Sequence, residues 1–171
     1  MFLTASTNSI VLLICLFLSS GSALAQTKQT PENAQRFLGG AVVSHNPERS
    51  FFYENGGWNR PWSEHSRKWV ADPAQPIKKW SAKSDDVCIS EYEVRQRTID
   101  NDKVELGSGW ETDRIRWKHV GKVEQKDTSV EIRVRNNKFR ITWPSEALAA
   151  RAAYAMEFLR MYCDTTADTG F

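Results

Sequence analysis

The chain has 171 residues, 40% hydrophobic and 26% charged, with 23 Lys plus Arg against 21 Asp plus Glu and a formal net charge of +2. That balance describes one ordinary domain. It excludes a multi-domain enzyme, a multi-span membrane protein and a strongly basic protein that wraps DNA, and no nucleic acid is expected as a partner.

The first 25 residues contain no Asp, Glu, Lys or Arg, and within them Ile10 to Leu18 is an unbroken apolar run of nine. Such a run is too short for a membrane span of roughly 20 residues and suits the core of a signal peptide. Ser19-Ser20-Gly21-Ser22 breaks the run, and Ala23-Leu24-Ala25 places small residues at the first and third positions before a cut. Residues 1–25 are therefore expected to be removed after Ala25, leaving a chain without a membrane span in a bacterial periplasm or secreted. Met1 to Ser9 lacks Lys and Arg, which leaves an uncleaved anchor as the other possibility. Removal of Cys15 with this segment leaves Cys88 and Cys163, an even pair that an oxidising compartment joins as a disulfide. With no nearby His or third Cys they make a poor zinc site, and no metal site is expected.

Residues 26–80 read as an N-terminal helix followed by an irregular, aromatic-rich segment. Thr30-Pro31-Glu32 has the form of a helix start: a hydroxyl cap, a proline at the first helical position and an acid facing the helix dipole. Ala34, Phe37, Leu38, Ala41 and Val42 keep helical spacing, but Gly39-Gly40 is expected to weaken or end the helix. From Ser44 to Lys79 no period holds, and turn formers alternate with Phe51, Phe52, Tyr53, Trp58, Trp62 and Trp69, so a long loop is expected.

Residues 81–171 read as an antiparallel sheet closed by a helix, in one globular domain with 26–80. Val87 to Thr98 is a strand whose mixed apolar parity calls for a bulge or twist. Asp100-Asn101-Asp102 is a turn, Val104 to Leu106 a short partner strand, and Gly107-Ser108-Gly109 a break before a further strand from Arg114 to Val123. Val130, Ile132 and Val134, then Phe139, Ile141 and Trp143, alternate with polar residues on either side of Asn136-Asn137, the pattern of a hairpin with one apolar face. Pro144-Ser145-Glu146 starts a last helix with Leu148, Ala152, Ala155, Leu159 and Tyr162 on one stripe, flanked by Met156 and Cys163. The expected class is α+β, an antiparallel sheet packed by a C-terminal amphipathic helix.

Several antiparallel strands followed by one C-terminal helix, over Val87 to Cys163, resemble a pleckstrin-homology-like roll in element order. Two terminal stretches, Thr30-Pro31-Glu32-Asn33-Ala34-Gln35-Arg36-Phe37-Leu38 and Ala155-Met156-Glu157-Phe158-Leu159-Arg160 with Cys163-Asp164 and Thr169-Gly170-Phe171, are similar to a group of exported proteins of unknown function from sphingomonad-type bacteria. Neither resemblance implies an activity.

No phosphate-cradling glycine loop, nucleophile elbow, dinucleotide fingerprint or paired-histidine motif occurs, and no cofactor is implied. Two features can carry binding. Arg133, Arg135, Lys138 and Arg140 fall on the polar parity of the hairpin, with Arg114, Arg116 and Lys118 repeating it upstream. Together they offer a positive stripe to phosphate or carboxylate, though acids such as Glu124, Asp127 and Glu131 can balance it. Trp58 and Trp62 can stack on sugars or anchor a partner, or equally cover gaps under a loop. The expected function is a binding or envelope-interaction module for an anionic envelope component or glycan rather than a catalyst. The alternative is a small hydrolase built from scattered groups, with His119 oriented by Glu131 or Asp113.

Overall fold

A computed structural model describes residues 29–64, 67–69, 71–100 and 103–164. The expected signal segment, His65 and the last residues of the terminal resemblance lie outside them. Helix α1 spans Pro31–His45. Thr30 caps it as expected, its hydroxyl accepting from the Asn33 amide at 3.2 Å. Contrary to expectation the helix runs straight through Gly39-Gly40 and ends at Asn46, whose left-handed backbone (φ 45°) closes it. The reason is packing. A Cβ on Gly39 would lie 2.7 Å from the Trp80 carbonyl oxygen, so the glycine lets α1 settle directly on a strand.

That strand belongs to a segment expected to be loop. Residues 44–79 instead contain β1 (Glu48–Tyr53), β2 (Gly57–Trp58), β3 (Trp62–Ser63), β4 (Lys68–Trp69) and the start of β5 (Gln75–Lys83). Then follow β6 (Asp86–Asp100), β7 (Lys103–Arg116), a 3-10 turn at Trp117–His119, β8 (Val120–Lys126), β9 (Ser129–Val134), β10 (Asn137–Thr142) and α2 (Glu146–Cys163). The main antiparallel sheet has the order β7-β6-β5-β1-β10-β9-β8, with β2 paired to β1, and β3 pairs with β4 in a separate ribbon. Strand β1 joins the two wings, yet its sequence shows no clean alternation because one of its inward residues is an arginine.

The glycines at 107 and 109 do not break the chain. Strand β7 passes through them and ends at Arg116, so the expected strand from Arg114 to Val123 is divided by the 3-10 turn. Opposite them β6 carries the bulge its parity called for, between Arg95 and Arg97, and Arg95 donates to the Ser108 carbonyl at 2.9 Å. The hairpin of β9 and β10 forms with its apolar residues inward, but Asn137 pairs with Val134, so the turn is Arg135-Asn136 and not Asn136-Asn137.

Helix α1 packs on β5 and α2 on β8 and β9, and the core joins Leu38, Val42, Ile77, Trp80, Val94, Ile115, Trp117, Ile132, Ile141, Met156 and Leu159. The buried stripe of α2 is Ala149, Ala152, Ala155, Met156, Leu159 and Cys163. Tyr162, expected on it, is 59% exposed. Gln35 links the layers: its side chain accepts from Trp80 Nε1 at 3.0 Å and Ser90 Oγ at 2.9 Å and donates to the Val87 carbonyl at 2.9 Å. Cys88 in β6 is disulfide-bonded to Cys163, the last residue of α2.

The second wing hides charge. Arg49 shares a ladder row with Ile141 and is 2% exposed. It donates to Gln75 Oε1 from Nη2 at 2.7 Å, to the Tyr92 hydroxyl at 2.7 Å and to Asp113, with the Phe51 ring 4.4 Å from its Cζ. Beside it Arg97, turned inward by the bulge, meets Asp72 Oδ2 at 2.6 Å and Tyr53 Oη at 3.0 Å. Burial pushes the Tyr92 and Tyr53 hydroxyls above the usual phenol range, so both stay protonated at neutral pH.

Candidate functional site

Residues opposite one another across an antiparallel ladder share a face. On the face of β1, β10 and β9 turned from the core, Phe52 lies opposite Lys138, Ser50 opposite Arg140, Lys138 opposite Arg133 and Arg140 opposite Glu131. Strand β2 adds Trp58 opposite Phe52. The chain can double back so tightly because Gly57 has φ +81° and Asn59 φ 52°, both in the left-handed region. Asn59 then pegs the return: Oδ1 accepts from the Phe51 amide at 3.0 Å and Nδ2 donates to Ser50 Oγ at 3.0 Å.

The result is a surface of rings and cations. Arg140 Cζ lies 4.5 Å and Lys138 Nζ 5.0 Å from the centre of Trp58, and Lys138 is 5.2 Å from Phe52. Phe52 meets Trp58 edge-on at 5.4 Å and is 43% exposed. Cation–π contacts of this kind are worth about 0.5–1 kcal/mol each, enough to hold long side chains in place without neutralising them. Arg140 Nε is buried and has no hydrogen-bond partner among the described residues. Arg133 is exposed.

Glu131 moderates the charge. Lys138 reaches its Oε2 at 2.7 Å and Lys126 at 3.1 Å. Burial disfavours the Glu131 carboxylate, but the hydrogen bonds and charges of Lys138 and Lys126 outweigh it and hold the group below its ordinary pKa. A carboxyl lowered by folding contributes stability above its ordinary pKa and loses it as pH falls through the lowered value. Glu131→Gln is therefore expected to cost about 1–2 kcal/mol at neutral pH, and the difference from wild type to vanish under acid conditions. Urea midpoints across the acid range check this; a pH-independent difference would show that the ion pairs contribute nothing.

Three of the four hairpin cations expected on one stripe, Arg133, Lys138 and Arg140, do share this face, and Trp58 joins them. Arg135 does not. It occupies the turn with φ 52° and directs Nη2 to His119 Nδ1 at 2.9 Å. Arg114 and Arg116 lie on that other side, so the expected continuous stripe is divided. Trp62 is placed only as a strand residue, paired with Trp69 in the β3–β4 ribbon, which is not part of the main sheet. His119 falls in the 3-10 turn and not in a strand, and it meets neither expected acid: Glu131 is held by Lys138 and Lys126, and Asp113 by Arg49. No group of three or more His, Cys, Asp or Glu side chains able to hold a metal occurs among the described residues, nor is any described helix long and apolar enough to cross a membrane.

Phe52 was missed as a member of the face. Only pairing with β10 reveals it, because Phe51-Phe52-Tyr53 has no period that separates inward from outward rings.

No protein-family model matches the chain, and no curated protein matches it. Among solved structures the fold is similar to the PH domain from TgAPH, with 9% identity and a TM-score of 0.38 over 80% of this chain and 99% of that one. At that distance no residue or ligand carries over.

Proposed function

We propose that this protein is an exported, disulfide-stabilised binding module that takes an anionic glycan or other anionic envelope component on the face of Trp58, Arg133, Lys138 and Arg140. The observation that carries the proposal is the pair Lys138 and Arg140 held against Trp58 beside the open ring of Phe52. Sugar rings stack on aromatic faces and edges, while guanidinium and ammonium groups donate to the acidic substituents. On this face Lys122, Lys126, Arg133, Lys138 and Arg140 outnumber Glu48, Glu124 and Glu131, so it attracts anions despite the near-neutral total.

Export is proposed from residues 1–25, with cleavage after Ala25 and a periplasmic or secreted destination. A disulfide between Cys88 and Cys163 is what an oxidising compartment allows. The likeness of the terminal stretches to exported proteins of sphingomonad-type bacteria belongs to the same proposal.

Retention on a carboxymethyl polysaccharide matrix at low salt tests the face. Wild type is expected to be held and to elute as salt screens the contacts. The double variant Arg133→Glu, Arg140→Glu is expected to pass straight through, and Trp58→Ala to elute at lower salt than wild type. The same charge change at Arg36 and Lys103, both exposed and off this face, controls for net charge. Equal retention of the two charge-reversed proteins would overturn the proposal.

A further inference from the structure

On the far side of the β9–β10 turn a cavity of about 410 Å³ is lined by Arg114, Arg116, His119, Val134, Arg135 and Asn137. Its basic lining comes from three separate elements, with guanidinium groups from β7 and the β9–β10 turn and the His119 ring from the 3-10 turn. No carboxylate lines it. Arg116 has no acidic partner among the described residues, and Arg114 is oriented by Glu91 outside the cavity, with Nε to Oε1 at 2.9 Å.

We propose that this cavity is a second anion site, separate from the Trp58 face, and that its ligand is a phosphoryl group borne on a small organic moiety. Like charges brought together in a half-enclosed space repel, and an anion placed among them converts that repulsion into attraction. His119 registers the field: partial loss of hydration, then Arg135, Lys118 and Arg116, hold its pKa below the ordinary histidine value. It is therefore neutral at pH 7, accepts the Arg135 hydrogen bond at Nδ1 and keeps a proton on Nε2 to donate. The shape favours phosphate over carboxylate. Three guanidinium forks, Arg114 and Arg116 from β7 and Arg135 from the β9–β10 turn, with the His119 N–H beside them, match the several oxygens of a tetrahedral group, whereas a planar carboxylate offers two. The volume also exceeds what one inorganic ion fills, which leaves room for the carrier of the phosphate.

The sources of such a group are a soluble phosphate monoester or a lipid headgroup, and two probes separate them. The first is titration of the purified protein with glycerol 3-phosphate, followed through the His119 ring protons. Saturable binding is expected, with the His119 pKa rising as the dianion arrives. The double variant Arg116→Gln, Arg135→Gln is expected to weaken binding by about tenfold or more, whereas Arg133→Gln with Arg140→Gln leaves it unchanged. The second probe is co-sedimentation with phosphatidylcholine vesicles containing phosphatidic acid. Loss of sedimentation in the pocket variant assigns the site to a lipid headgroup; binding of glycerol 3-phosphate alone assigns it to a soluble ester. No saturable response to either probe, or a response unmoved by the pocket variant and removed by the face variant, overturns the proposal. Because wild type is itself titrated, a misfolded variant does not blunt the test, and failure here leaves the Trp58 face to stand or fall on its own retention assay.

Discussion

Replacing both Cys88 and Cys163 by Ser is expected to lower the melting temperature by on the order of 15 °C, the largest single effect in this protein. The bond spans 75 residues of sequence. Closing a loop of that length removes about 4 kcal/mol of entropy from the unfolded chain in the loop-entropy model, a large share of the 5–15 kcal/mol of a typical domain. Its position adds to this. Cys163 is the final residue of α2 and Cys88 lies in β6, so the bond fastens the helix that covers β8 and β9 to the opposite wing of the sheet. Thermal unfolding of the oxidised protein, the reduced protein and the double variant checks it. The last two should melt together and well below the first, and coincidence of all three would show that the crosslink constrains nothing.

Arg49→Met is the second large expected effect, a loss of about 3 kcal/mol. Methionine fills much of the space but donates nothing. Gln75 Oε1 and the Tyr92 hydroxyl, both buried, lose a charged donor, and Asp113 loses its cation. Asp113 is half exposed and recovers water, which keeps the cost at the lower end for breaking a buried pair. A double-mutant cycle with Asp113→Asn, followed by urea unfolding, separates that pair from the Gln75 and Tyr92 contacts. A loss below about 1 kcal/mol would mean that the cost of dehydrating the guanidinium cancels the bonds it makes.

These two cases differ in how far they could be read from residues alone. Two cysteines in a chain that reads as exported are few enough to pair by arithmetic, and the pairing then followed from the compartment. Nothing local marks Arg49 as buried, because it sits among Glu48, Ser50 and two phenylalanines and breaks the alternation that would have named β1 a strand. The same holds at the candidate face. Arg133, Lys138 and Arg140 were legible from the alternation of the hairpin, whereas Phe52 became part of the face only through its pairing with Lys138 and Trp58. Arg135 followed the parity rule on paper and left it in space, because the turn falls one residue earlier than Asn136-Asn137 suggested.

Local chemistry thus specified the features whose partners lie within a few residues: the Thr30 and Ser145 caps, the alternation of β9 and β10, the apolar stripe of α2 and the need for a bulge in β6. Tertiary structure decided the features whose partners are distant. Helix α1 persists through two glycines because one of them faces the Trp80 carbonyl. Strand β1 exists because β10 and β5 supply its hydrogen bonds, and six hairpin and β7 cations divide, Arg133, Lys138 and Arg140 to an aromatic face and Arg114, Arg116 and Arg135 to a cavity, because register and one turn send them to opposite sides. The physical reason is common to all of these. Propensity and periodicity act within a helical turn or a pleat, while burial, register and long-range pairing are worth more per residue and override them wherever the two disagree.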